Sequence, residues 1–237
     1  MTTKMIFSAS ALLAIGSLLA FTPLHEVCDG IFFKEGARFT TTSYDENNKI
    51  SGSSKTHLIR VENIGSEVKA TAQVERLDKK GKSLGSGEYV VRCKENILYF
   101  DMRNMMPQQQ SEAFKDMEIA FEGIDVAYPA NITVGAELPD AKINCSFKAK
   151  GNGEPIPFLA FNASTTNRKV VSKENITTPA GTFECFKITE DFEINSIIRL
   201  KTKSINWYNK KYGSVRTESY RENGKLLGST QITEHTF

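Results

Sequence analysis

The side chains of this sequence that could do chemistry are three histidines, four cysteines and 28 carboxylates. Nucleophilic catalysis needs a base held against a nucleophile by a third group. His25 and His235 lie near the ends of the chain, where polypeptides are loosely ordered. His57 sits in a strand-like stretch without a triad-like neighbour. Gly85-Ser86-Gly87 sets a serine between glycines, yet it belongs to a hairpin-like repeat and lacks the strand-to-helix turn of a nucleophile elbow. The sequence has no H-E-x-x-H, no P-loop and no G-x-G-x-x-G. Its carboxylates would suffice for a glycosidase pair, but no spacing singles one pair out. The residues therefore predict no enzyme, no cofactor and no metal site.

Cys28, Cys93, Cys145 and Cys185 are too widely spaced for a CxxC zinc or redox site. In an oxidising compartment an even number is compatible with two disulfides, and four cysteines allow three pairings. Cys28 stands just before the first strand-like stretch and Cys93 near the end of another, so Cys28–Cys93 is the favoured pair. Cys145 and Cys185 lie inside apolar stretches and could equally be buried thiols.

The N-terminus suggests an oxidising destination. Lys4 precedes Met5 to Ala20, a run of small and apolar residues without a charge. That run is shorter than the roughly 20 apolar residues of a spanning helix. It fits the h-region of a secretory signal peptide, with cleavage after Ala20 or a few residues later. Residues 1–20 are thus read as signal peptide and residues 28–237 as one domain. A lipidated Cys28 is disfavoured because His25 and Glu26 stand where lipoprotein processing wants small uncharged residues. No second apolar run follows, so no transmembrane segment is expected in the mature chain. The net charge is +2 and falls to +1 when the leader and its lysine leave. Lysines and acids alternate without a basic block, which argues against nucleic-acid binding.

What would position these groups is a sheet. A ten-residue pattern recurs at Tyr44 to Ser53, Leu77 to Ser86 and Tyr220 to Ser229. In each, charges lead into Asn47-Asn48, Lys80-Gly81 or Asn223-Gly224, which the pattern places at the centre of type I′ turns. The flanks alternate with period two: Arg38 to Tyr44, Lys55 to Asn63, Val68 to Val74, Glu88 to Cys93, Ile197 to Trp207, Val215 to Tyr220 and Leu226 to Thr233. Phe158 to Asn175 reads as one long strand or two joined by a bend at Asn167. The expectation is an all-β fold, a single strongly curved antiparallel sheet or open half-barrel built from long hairpins. One stretch departs from this. Pro107 can start a short helix near residues 107–115, and Met102, Met105 and Met106 with Phe114 could form an apolar lid or plug one end of the core. Asn131, Asn144, Asn162 and Asn175 head Asn-x-Ser/Thr sequons, which could carry glycans in a eukaryotic secretory pathway and would be chance products of an Asn- and Thr-rich chain in a bacterial one.

Two segments carry a family resemblance. Ile176 to Ile188, with Pro179-Ala180-Gly181-Thr182-Phe183 at its centre, resembles a hairpin of the TapB-like exported β-proteins, a domain of unknown function in Gram-negative envelopes. Trp207-Tyr208 followed by Tyr212 to Tyr220 is similar to a second strand of that family, with Tyr212-Gly213-Ser214 in place of its usual Gly-Val-Gly. The resemblance implies a curved sheet like the half-barrel of envelope lipoprotein carriers, and it brings no catalytic residue. The expected function is a noncatalytic protein of the periplasm, cell surface or medium that holds an apolar ligand on its concave face. The alternative is a structural or interaction protein of the envelope, with an envelope protein as partner and no small-molecule ligand.

Overall fold

A computed structural model of the chain describes residues 28–101, 117–151, 154, 160–197 and 199–237. The signal peptide at 1–20 and the helix expected near 107–115 lie outside these described residues. Among the described residues thirteen strands form one sheet. They are β1 (Arg38–Asp45), β2 (Ile50–Ile64), β3 (Glu67–Asp78), β4 (Ser83–Lys94), β5 (Ile97–Phe100), β6 (Met117–Ile124) and β7 (Val126–Pro129). After them come β8 (Ala141–Ala149), β9 (Phe161–Thr178), β10 (Gly181–Asn195), β11 (Arg199–Asn209), β12 (Gly213–Tyr220) and β13 (Leu226–Thr236). The order across the sheet is β6-β8-β9-β10-β11-β12-β13-β1-β2-β3-β4-β5-β7, and every pairing is antiparallel.

The two outermost strands, β6 and β7, are separated in sequence by Asp125 alone. A flat sheet of this width could not join its first and last strands through one residue. The sheet therefore curls until its ends meet, giving an all-β barrel that is nearly closed. Leu58, Ala72, Val91, Leu98, Ile143 and Ile188 are among the buried residues that meet on the concave side in one apolar cluster. Many of their chain neighbours are polar and less buried, among them His57, Gln73, Arg92, Lys142, Asn144, Lys187 and Thr189, in the period-two alternation read from the sequence.

The three repeated hairpins share one turn, and it is not the type I′ turn expected. In each, the amide of the fourth residue donates to the carbonyl of the first: Asn48 to Asp45, Gly81 to Asp78 and Gly224 to Arg221. The loop then closes from Asp45 N to Lys49 O, Asp78 N to Lys82 O and Arg221 N to Lys225 O, each at 2.9 Å. Only the second of each expected central pair has positive φ: Asn48 at 59°, Gly81 at 81° and Gly224 at 81°. This is a type I turn followed by one left-handed residue, the three-residue hairpin loop. The reason is steric: Lys80 would pay a Cβ clash at positive φ, and the longer loop needs only one such residue. Asp45 and Asp78 brace their turns from the side chain. Asp78 Oδ1 accepts from Lys80 N at 2.8 Å and Lys82 N at 2.9 Å, and Asp45 Oδ1 accepts from Asn47 N and Lys49 N at 2.9 Å. Replacing Asp78 with alanine is expected to cost about 1 kcal/mol in urea unfolding, because two backbone donors lose their acceptor.

One end of the barrel is stoppered by the segment before β1. Cys28 is bonded to Cys93 at the end of β4, with 5.7 Å between their Cα atoms. Ile31 and Phe32, in a single 3-10 turn, are buried in the core behind that bond. Ile31 N donates to Lys211 O at 2.7 Å, which ties the stopper to the turn between β11 and β12. Gly213 in that turn has φ +73°, and a Cβ there would stand 2.6 Å from the Phe32 ring. The position thus excludes side chains twice over, by conformation and by contact.

A buried arginine and tyrosine cluster at the barrel seam, the candidate functional site

β9 runs unbroken from Phe161 to Thr178, bent where the sequence places its bend. Asn167 is left-handed at φ 53°, and the pairing with β10 slips there, leaving Glu190 opposite the distortion. Asn167 Nδ2 donates to Asp191 Oδ2 at 2.8 Å and holds the bulge. A bulge re-aims the next side chain, and here that side chain is Arg168, directed into the barrel.

Arg168 is 1 % exposed. Its Nε donates to Glu190 Oε2 at 3.2 Å. Its Nη1 donates to the carbonyls of Ala127 at 3.1 Å and Pro139 at 2.8 Å. Ala127 belongs to β7, the far edge of the sheet, so one guanidinium spans the seam that strand pairing leaves open. The same group lies 4.8 Å over the ring of Tyr128. Tyr128 stacks on Tyr208 of β11 with ring centres 4.2 Å apart and planes within 7°. Asn206 Nδ2 donates to the Tyr128 hydroxyl at 2.9 Å. On the outer side of the seam, Arg92 of β4 pairs with Asp125 at 2.5 Å.

Burial pushes the Tyr128 hydroxyl up to about 12, against the opposing pull of Arg168, and drives Tyr208 higher still. Both phenols stay protonated across physiological pH and serve as hydrogen-bonding groups. A guanidinium already engaged by a carboxylate, two carbonyls and a π-face is suited to cohesion. Burying such an ion costs several kcal/mol unless its partners are well placed, and here they come from three separate elements.

The opposite face of β10 and β11 carries a second cluster. Phe183, Cys185, Trp207 and Val215 are buried there, alternating with inward Phe186, Ile188 and Tyr208. Trp207 Nε1 donates to Glu174 Oε1 at 2.5 Å, and Lys187 and Arg216 lie 5.4 and 5.7 Å from its ring. Cys145 and Cys185 are buried and outside any disulfide. Desolvation, helped by Glu174 and Glu184, pushes the Cys185 thiol up to about 12, so it is an inert packing group.

Two of the three histidines meet one cleft. His57 and His235 line an open groove of about 590 Å³ with Arg38, Lys55, Glu75 and Glu234. The His235 ring packs against Tyr212, Phe237 and Phe183. Among the described residues, no group of three or more His, Cys, Asp or Glu side chains is placed to hold a metal ion. Of the residues singled out from sequence, Cys28 and Cys93 are joined, whereas Met102, Met105, Met106 and Phe114 lie outside the described residues. Arg168 was not singled out. The bend at Asn167 was its signal, since an arginine next to a bulge loses its alternating place on the outer face.

At the hairpin end of β10 and β11, Glu193 accepts from Arg199 Nε at 2.7 Å and lies 3.4 Å from Lys201 Nζ. Arg199, with Asn195 and Lys201, holds the Glu193 carboxyl down at about 2. A carboxyl depressed in the folded state favours folding above its ordinary range, and that contribution fades as pH falls towards 2. Arg199→Leu is expected to raise the Glu193 titration towards the ordinary range near 4.3, read from its side-chain carboxyl shift by NMR.

No helix among the described residues is long and apolar enough to cross a membrane, a statement that leaves strands aside. The fold is similar to two solved structures. One is a candidate exported protein with a YmcC-like fold from Bacteroides fragilis, at TM-score 0.70 and 22% identity over 88% of this chain and 100% of that one. The other is a lipoprotein candidate from Parabacteroides distasonis, at TM-score 0.69 and 22% identity with the same coverage. At that identity the likeness shows the fold alone. No curated protein matches the sequence significantly. The DUF3108-like family model matches residues 34–232, from just after the 3-10 turn into β13, and the chain belongs to the DUF3108-like family.

Proposed function

We propose that this protein is an exported, noncatalytic component of the Gram-negative cell envelope that acts through its outer surface, with no small molecule in its barrel. The observation that carries the reading is a run of aromatic rings packed on the concave face. Phe32, Phe100, Tyr128 and Tyr208 form a continuous run of ring contacts across the barrel, at 4.9, 5.9 and 4.2 Å. Arg168 fills the space beside them. A carrier for an apolar ligand needs a hollow of some hundreds of Å³ lined by apolar side chains, and the described residues put this packed run of rings on the concave face instead. The apolar-lid reading of Met102, Met105, Met106 and Phe114 is accordingly the second choice.

Export is supported by the uncharged Met5–Ala20 run and by the Cys28–Cys93 bond, which suits an oxidising compartment. The descriptions of the two similar structures, one exported and one a lipoprotein, agree with that destination. The narrower TapB-like grouping of residues 176–188 and 207–220 belongs to the same proposal. The test is lipid extraction of purified protein with mass spectrometry, followed by titration of the delipidated protein with a fatty acid and a phospholipid. No stoichiometric lipid and no saturable binding are expected. One lipid per chain, displaced by added fatty acid, would return the function to a carrier.

A further inference from the structure

We propose that the seam cluster is a hydrated site, in which ordered water completes the hydrogen bonding of Arg168, Asn206, Tyr208 and Thr165. Among the described residues six buried side-chain atoms have no hydrogen-bond partner, and four of them belong to β9 and β11: Arg168 Nη2, Asn206 Oδ1, the Tyr208 hydroxyl and Thr165 Oγ1. Their residues are 1 %, 3 %, 0 % and 1 % exposed. Three of them gather around Tyr128. Arg168 lies over its ring, Tyr208 stacks on the same ring, and Asn206 donates to its hydroxyl. Thr165 stands three residues before Arg168 on the same inward face of β9, paired with buried Ala141.

The inventory of free valences identifies the guest. Arg168 Nη2 needs an acceptor, Asn206 Oδ1 needs a donor, and each hydroxyl can serve as either. A small neutral molecule that both donates and accepts satisfies all of them. An added anion would set a second negative charge beside Glu190, which already faces Arg168 at 3.2 Å. Polar buried sites with two to four partners hold water as a rule, about one per 27 residues. Water also suits the neighbourhood, because Thr202 and Ser204 continue the buried polar row along β11.

The sign of a stability change tests this. An orphaned hydroxyl in a dry site carries an uncompensated desolvation cost, so removing it stabilises the fold. A hydroxyl that binds water loses a partner when removed, and the fold weakens. Tyr208→Phe and Thr165→Val are therefore expected to lower Tm by a few degrees. Each is also expected to reduce the oxygen-17 relaxation dispersion that counts long-lived internal water. A raised Tm with unchanged dispersion in both variants would overturn the proposal. So would a small organic molecule released one to one from wild-type protein on denaturation.

Discussion

Arg168→Met is expected to destabilise the fold by about 3–5 kcal/mol, the largest loss for any single substitution considered. The magnitude follows from what remains after the guanidinium is gone. Glu190 is left as a carboxylate with only 11 % of its side chain exposed, and breaking a buried pair from one side costs in this range. The carbonyls of Ala127 and Pro139 lose their shared donor as well. The companion variant Arg168→Met/Glu190→Leu separates the two causes, because replacing both partners by apolar groups is far milder than removing one. It should recover a large part of the loss. Hydrogen exchange adds a local reading: β7 amides should lose protection before those of β9 and β10, since Arg168 supplies the side-chain hydrogen bond from β9 to the β7 backbone. A single variant within 1 kcal/mol of wild type would show that strand pairing alone holds the seam.

The second large effect is the Cys28–Cys93 bond. It closes a loop with sequence separation 65. Loop-closure entropy for that length amounts to roughly 4 kcal/mol, a model-dependent figure. Cys28→Ser/Cys93→Ser is expected to lose that much in urea unfolding and to lower Tm by about 10 °C for a domain of this size. The bond also keeps the stopper seated. Ile31 is fully buried and Phe32 nearly so, and without the covalent tie this stretch would be held by packing and by Ile31 N to Lys211 O. A reductant should therefore lower the Tm of wild type and leave the double variant unmoved. Equal Tm with and without reductant in the wild type would mean that the stopper's packing suffices.

Strands and turns were legible because their causes are local. Alternation at Arg38 to Tyr44 or Val68 to Val74 follows from side chains pointing to opposite faces, and that needs no knowledge of the partner strand. The repeated hairpins were visible for the same reason, although the turn class was not. Lys80 at an expected positive-φ position was the clue that one residue, and not two, turns left-handed. The seam cluster was hidden. Tyr128 comes from β7, at the opposite edge of the sheet from the β9 and β11 that carry Arg168, Asn206 and Tyr208, and no spacing in the chain relates the three strands.

The amino-acid sequence by itself determined the all-β class, the places where the hairpins turn and the faces to be buried, since period-two patterning and Asn/Gly corners act over a few residues. Tertiary structure alone decided that the sheet closes on itself and which side chains meet at its seam. Closure depends on accumulated twist across thirteen strands and on one arginine turned inward by a bulge, and these are summed over the whole sheet, beyond the reach of any local window.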